Sequence, residues 1–188
     1  LQGATMSERR LDFLAHHDWI RKALMFEPRG HDVMSGSMLY PPTRADCDVG
    51  ILFIEVSGCL PMCGHGTIGT VTMAVENGLV APAKPGELAI DAPAGRVVAR
   101  YVQDGRYVDS VRITNVASYL AASEVAIDLP GVGELVFDIA YGGNFYGILE
   151  PQKNFAGLEE MSAADVLRLS PIVRRLLNEK IQPVHPEN

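Results

Sequence analysis

The amino-acid sequence predicts an α+β protein in which antiparallel strands joined by hairpins wrap a buried helix. Three observations carry that expectation. From Glu87 onward strand patterns follow one another through hairpin turns, with none of the helical crossovers that parallel sheets need. The stretch Ile68-Gly69-Thr70-Val71-Thr72-Met73-Ala74-Val75 has helical character but is apolar nearly all round, and a helix without a polar face has to be covered. Finally, 47% of the 188 residues are hydrophobic, enough for one good core or two small ones.

Taken in order, Ser7 to Met25 reads as helical, with Ser7 as N-cap and Leu11, Phe13, Leu14, Ile20 and Leu24 near one face. Asp18 can restart this helix after His16-His17, and Pro28 and Gly30 end it. Asp32 to Tyr40 and Asp48 to Val56 read as strands, the second rich in aliphatic residues. A glycine-rich turn leads into a helix from about Thr67 to Asn77, stopped by Gly78. Val97 to Val102 and Tyr107 to Thr114 flank Asp104-Gly105, a hairpin signal. Glu124 to Leu129 and Glu134 to Ala140 flank a second hairpin at Pro130-Gly131-Val132-Gly133, and Tyr141 to Leu149 adds a last strand. Ser162 to Asp165 resembles a capping box, and Ser170-Pro171 restarts a helix that runs to about Lys180. The expected organisation is a first catalytic domain over 1–150, then a final helix and connection over 151–188, with both ends looking cut.

Composition removes several function classes. A net charge of −7 and a pI near 5.2 argue against nucleic acid or anionic membrane as partner, since both favour a basic face. No apolar run approaches the roughly 20 residues of a membrane helix. Three unevenly placed cysteines do not make a disulfide framework, so a cytoplasmic setting with reduced thiols is expected.

The most informative segment is Pro61-Met62-Cys63-Gly64-His65-Gly66-Thr67-Ile68-Gly69, which sets a cysteine in a glycine turn at the mouth of a helix. Amides and the positive dipole end at a helix start stabilise negative charge. Cys63 is therefore expected to ionise more easily than a free thiol, beside a cradle for a substrate carboxylate. Such a pair suits proton transfer on an amino or hydroxy acid. Cys47 and Cys59 open no helix and read as small packing residues. His16, His17, His31 and His185 read as surface or packing residues, and Gly142-Gly143-Asn144 as a turn into its strand. Cys59, Cys63 and His65 offer three soft ligands to zinc, but the spacing departs from the usual Cys-x2-Cys and no further pair follows, so a zinc module is a remote alternative.

Met62-Cys63-Gly64-His65-Gly66-Thr67-Ile68-Gly69 resembles the first catalytic motif of the proline racemase and hydroxyproline epimerase family. Glu27-Pro28-Arg29-Gly30-His31-Asp32 and Tyr141-Gly142-Gly143-Asn144-Phe145 resemble two further family segments, in the same order. The resemblance implies a curved, mostly antiparallel, barrel-like sheet around a central helix, as half of a pseudo-symmetric two-domain fold with the active site between the domains. It implies that the family's first strand and its second cysteine motif lie outside this chain. Cys63 would be one of two acid/base groups, Gly64 and His65 would contact substrate, and the amides of Gly66 and Thr67 would hold its carboxylate. No cofactor and no metal are implied.

By the same resemblance the reaction is epimerisation at Cα of trans-4-hydroxy-L-proline to cis-4-hydroxy-D-proline, with a small-molecule substrate as partner and room for a homodimer. Gly66-Thr67 favours 4-hydroxyproline, where proline racemases more often carry Asn-Ser. Proline racemase and trans-3-hydroxy-L-proline dehydratase are the close alternatives. One thiol cannot serve both faces of a carbon, so the chain alone is expected to be inactive.

Overall fold

A computed structural model describes residues 1–186, and their contacts gather into two compact units, Leu1–Ala117 and the residues from Ser118 on. The first unit opens with helices α1 (Met6–His16) and α2 (Asp18–Met25), separated at His17 as the histidine pair and Asp18 suggest. Thr5, not Ser7, caps α1. Its hydroxyl accepts the Glu8 N–H while the Glu8 carboxylate reaches back to the Thr5 N–H, a full capping box.

Strands β1 (Ser35–Tyr40), β2 (Val49–Glu55), β3 (Gly58–Leu60), β4 (Glu87–Ala92), β5 (Gly95–Asp104) and β6 (Tyr107–Thr114) form one mixed sheet in the order β1-β2-β4-β5-β6, with β3 paired to β2. All pairings are antiparallel except β2 with β4. The helix α3 (Gly64–Glu76) enters between β3 and β4 and lies against this sheet. Two cores result, one from each face of β2. Val49, Ile51 and Phe53 pack with Met62, Cys63, Val71, Leu88 and Ile90, whereas Leu52 and Ile54 pack with Met6, Phe13, Met25 and Cys59. Alternation along a strand sends successive side chains to opposite faces, so a continuous apolar run is the mark of a strand covered on both.

The helix is less enclosed than its composition suggests. Thr67, Thr70, Val71 and Ala74 are buried, while Ile68 and Met73 remain exposed, each by about two fifths. Two carboxylates, buried Asp91 and half-buried Asp48, pin the loops around the sheet. Asp91 accepts from the Thr43 N–H and hydroxyl and from the Arg44 N–H, and Asp48 accepts from the N–H groups of Ala83 and Ala89.

In the second unit β7 (Tyr119–Leu129), β8 (Gly133–Tyr141) and β9 (Phe145–Ile148) form an antiparallel sheet in that order. Gly143, at φ 97°, turns the chain from β8 into β9, the role expected of the Gly142-Gly143-Asn144 segment. A 3-10 turn (Leu158–Glu160) precedes α4 (Ala163–Lys180). Ser162 caps α4, but Pro171 starts no second helix and sits within a single one. The apolar face of α4, with Leu169, Ile172, Val173 and Leu177, packs with Ile127, Leu135, Phe137 and Ile139 of the sheet. The strands β7 to β9 thus share a core with α4, and the contacts divide at 117/118, ahead of the boundary expected after 150.

No helix among the described residues is long and apolar enough to cross a membrane.

Candidate active site

The site is built where β1, the β2–β3 hairpin and the start of α3 meet. Cys63 is the N-cap of α3, in extended conformation at φ −142° and ψ 113°, so the helix begins at Gly64, three residues earlier than the sequence pattern places it. Its carbonyl accepts the Thr67 N–H at 2.9 Å and the Thr67 hydroxyl at 2.8 Å. Thr67 is fully buried, so both polar groups of this residue are spent in fixing the backbone of Cys63. The first turn therefore presents the amides of Gly64, His65 and Gly66, of which Gly66 donates towards the Cys63 sulfur. The Thr67 amide, expected beside that of Gly66 in the carboxylate cradle, is engaged with the Cys63 carbonyl.

Gly66 is a steric requirement of the thiol. A Cβ there would stand 3.1 Å from Cys63 Sγ and 3.2 Å from Phe53 Cδ1. At Gly64 it would meet only Ile113 Cδ1, at an ordinary 3.7 Å.

Two side chains converge on the sulfur. Cys63 Sγ donates to Glu55 Oε1 at 3.6 Å and lies 3.5 Å from His65 Nδ1. The other ring nitrogen, Nε2, is 3.1 Å from Ser35 Oγ, and Ser57 Oγ donates to Glu55 Oε2 at 3.3 Å. Pairing of β1 with β2 sets Ser35 opposite Glu55. Arg21, held by Asp18, donates to the carbonyls of Glu55 and Val56 and so anchors the turn that carries the carboxylate. The second tie between β1 and the helix is the 2.6 Å contact of the Ser37 and Thr70 hydroxyls.

Glu55 and Ser35 escape the sequence reading. The one local signal for Glu55 is a carboxylate closing a strand whose other six residues are buried. Cys63 itself is buried, Glu55 half-buried and His65 exposed, so the cluster is reached from the His65 side. One ligating atom from each of the three lies within 4.8 Å of the others, a set that can hold a metal.

Burial pushes the Cys63 thiol above its ordinary range. The Gly66 N–H opposes that rise, and the Glu55 carboxylate adds to it. This corrects the expectation of an easily ionised cysteine: the helix start does act, but desolvation and a neighbouring negative charge outweigh it. Burial lifts Cys59 further, to about 11, and Cys59 packs in the other core, away from the cluster.

All residues 1–188 match the model of the proline racemase family. A probable 4-hydroxyproline 2-epimerase of Rhizobium meliloti is 61% identical over 188 residues, all of this chain and 56% of the relative. A 4-hydroxyproline epimerase of Brucella ovis is 59% identical over 187 residues, again 56% of its length. The chain thus spans little more than half the length of the curated relatives it matches. Among solved structures, a hydroxyproline epimerase from Agrobacterium vitis with bound trans-4-hydroxy-L-proline matches at a TM-score of 0.85 and 26% identity, covering 98% of this chain and 55% of that one. A probable proline racemase from Agrobacterium radiobacter with bound carbonate matches at 0.85 and 26%, covering 99% and 56%. These likenesses agree with the α+β fold and the hydroxyproline class expected from the motif.

Proposed function

Because this chain belongs to the proline racemase family, we propose that it supplies one half of a cofactor-independent 4-hydroxyproline 2-epimerase, with Cys63 as one of its two acid/base groups. The observation that carries this reading is the placement of Cys63 Sγ at the start of α3, between Glu55 and His65, in a chain so similar to proteins of that name.

Inversion at Cα requires removal of a proton from one face and delivery of one to the other. The Glu55 carboxylate accepts the Cys63 S–H bond, which orients the thiol and keeps its proton ready for donation. His65, steadied by Ser35, flanks the sulfur on its open side, where it can also meet the ring nitrogen of the substrate. The amides of Gly64, His65 and Gly66 face the site where carboxylate and enediolate charge would develop, a task suited to a helix start. Thr67 contributes by locking the Cys63 backbone. The opposing acid/base group would come from the part of the relatives' length that this chain does not span. A second consequence is that the chain alone is inactive as an epimerase, because only one face of the carbon is served.

The similarity to proteins named 4-hydroxyproline epimerases supports 4-hydroxyproline over proline as the substrate. The test is chiral chromatography on a protein that carries this chain at the relatives' full length. Interconversion of trans-4-hydroxy-L-proline and cis-4-hydroxy-D-proline without added cofactor is expected. Turnover of proline alone would make it a racemase, and a pyrroline carboxylate formed from trans-3-hydroxy-L-proline would make it a dehydratase.

A further inference from the structure

We propose that Glu55, Cys63 and His65 also form a three-ligand site for a borderline-soft divalent cation, Zn²⁺, whose arrival switches the Cys63 sulfur off as a proton carrier. The donor set is one thiol, one imidazole and one carboxylate, all three of them common zinc ligands. With Zn–S of about 2.3 Å and Zn–N or Zn–O of about 2.1 Å, a tetrahedral site has ligand-to-ligand edges of about 3.4–3.6 Å. The two edges at sulfur already have that length, at 3.5 Å to His65 Nδ1 and 3.6 Å to Glu55 Oε1. The three ligating atoms all lie within 4.8 Å of one another, so the third edge has at most about 1.4 Å to close, and the exposed His65 ring is the side chain free to close it.

The surroundings complete the argument. A metal-bound histidine is usually oriented by a bond to its other ring nitrogen, and a bound carboxylate by a donor to its second oxygen. Both partners are in place here. Ser35 Oγ meets His65 Nε2 at 3.1 Å, and Ser57 Oγ donates to Glu55 Oε2 at 3.3 Å. These are the atoms left over when Nδ1 and Oε1 face the metal. Zinc is therefore held by a site whose geometry pre-exists, with the fourth position open on the His65 side for water or a substrate carboxylate.

Binding replaces the Cys63 S–H bond by an S–Zn bond, and the proton leaves to solvent. The sulfur then has no proton to give, and its remaining lone pairs, drawn by the cation, are much weaker proton acceptors. The consequence is reversible inhibition by zinc, relieved by a chelator.

The experiment is titration of the chelator-stripped full-length protein with Co²⁺, followed by displacement with Zn²⁺. A single equivalent should bring up a sulfur-to-cobalt charge-transfer band, which Zn²⁺ then bleaches. Cys63→Ser should abolish the band, while Cys47→Ser and Cys59→Ser should leave it. Glu55→Gln and His65→Ala should each weaken binding at least about tenfold, and Ser35→Ala, which keeps every ligand, by about tenfold. The inference is overturned if no band forms, if the band survives Cys63→Ser, or if Glu55→Gln and His65→Ala both bind as the parent does. The switching role rests on the proposed function, but the readout does not pass through catalysis: a full-length protein that binds cobalt and epimerises nothing would refute the functional reading and leave the metal site standing without that role.

Discussion

Replacing Gly66 by alanine separates the needs of the helix from those of the thiol. The new methyl would stand 3.1 Å from Cys63 Sγ, 3.2 Å from Phe53 Cδ1 and 3.3 Å from Cys63 Cβ. Comfortable carbon contacts lie at about 3.5–4.0 Å, so the sulfur has to retreat by roughly 0.5 Å, because Phe53 is buried within the core and has no room to yield. Alanine gains about 0.5–1 kcal/mol over glycine inside a helix, and overpacking costs about 1–3 kcal/mol. The net loss of stability is then about 0–2.5 kcal/mol, up to roughly 10 °C in Tm for a chain of this size. Catalysis should suffer more. A shift of about 1 Å in a reacting group can cost about a hundredfold, so half that shift predicts a fall in kcat/KM of about tenfold. The assay is epimerase activity of the full-length variant beside its thermal melt. Gly69→Ala is the control: its added Cβ meets nothing within 4 Å, so stability should rise slightly and activity stay unchanged. Full activity in Gly66→Ala would refute the claim that this glycine exists to seat the thiol.

Other outcomes follow from the same contacts. Asp91→Ala leaves three donors, on Thr43 and Arg44, without their buried acceptor, and should cost about 2–4 kcal/mol in chemical denaturation. Cys59 stays protonated in the folded chain up to about pH 11, against an ordinary 9.0. The unfolded chain therefore loses that proton first, and stability should fall by roughly 3 kcal/mol between about pH 9 and 11, a decline that Cys59→Ala removes. The 188-residue chain assayed alone should show epimerase activity more than about tenfold below a protein of the relatives' full length; comparable activity would overturn the two-face argument.

Much of the fold is legible in the sequence because its signals are local. The apolar run Gly50 to Ile54, the Asp104-Gly105 turn and the glycines before β9 each act within a few residues. What escapes is set by distant partners. β3 is a three-residue strand that exists because Gly58 to Leu60 fold back on Phe53 to Glu55. Pro171 reads as a helix start by its own chemistry, yet α4 continues through it because Leu169, Ile172 and Val173 dock on one sheet. The site divides in the same way. Cys63, Gly64, His65, Gly66 and Thr67 are visible as a motif, whereas Glu55 and Ser35 reach it only through strand pairing. The protonation of Cys63 misleads for that reason: the helix start is written in the motif, and the opposing burial and Glu55 charge are not.

The central claim is that Cys63 carries a proton to or from Cα. It is tested most directly by incubating the full-length protein with trans-4-hydroxy-L-proline in D₂O and following inversion and Cα deuteration by chiral chromatography and mass spectrometry. Each inverted molecule should carry one deuterium at Cα, and Cys63→Ala should cut inversion by at least about a thousandfold while Cys47→Ala leaves it intact. Inversion by Cys63→Ala within about tenfold of the parent enzyme would contradict the account.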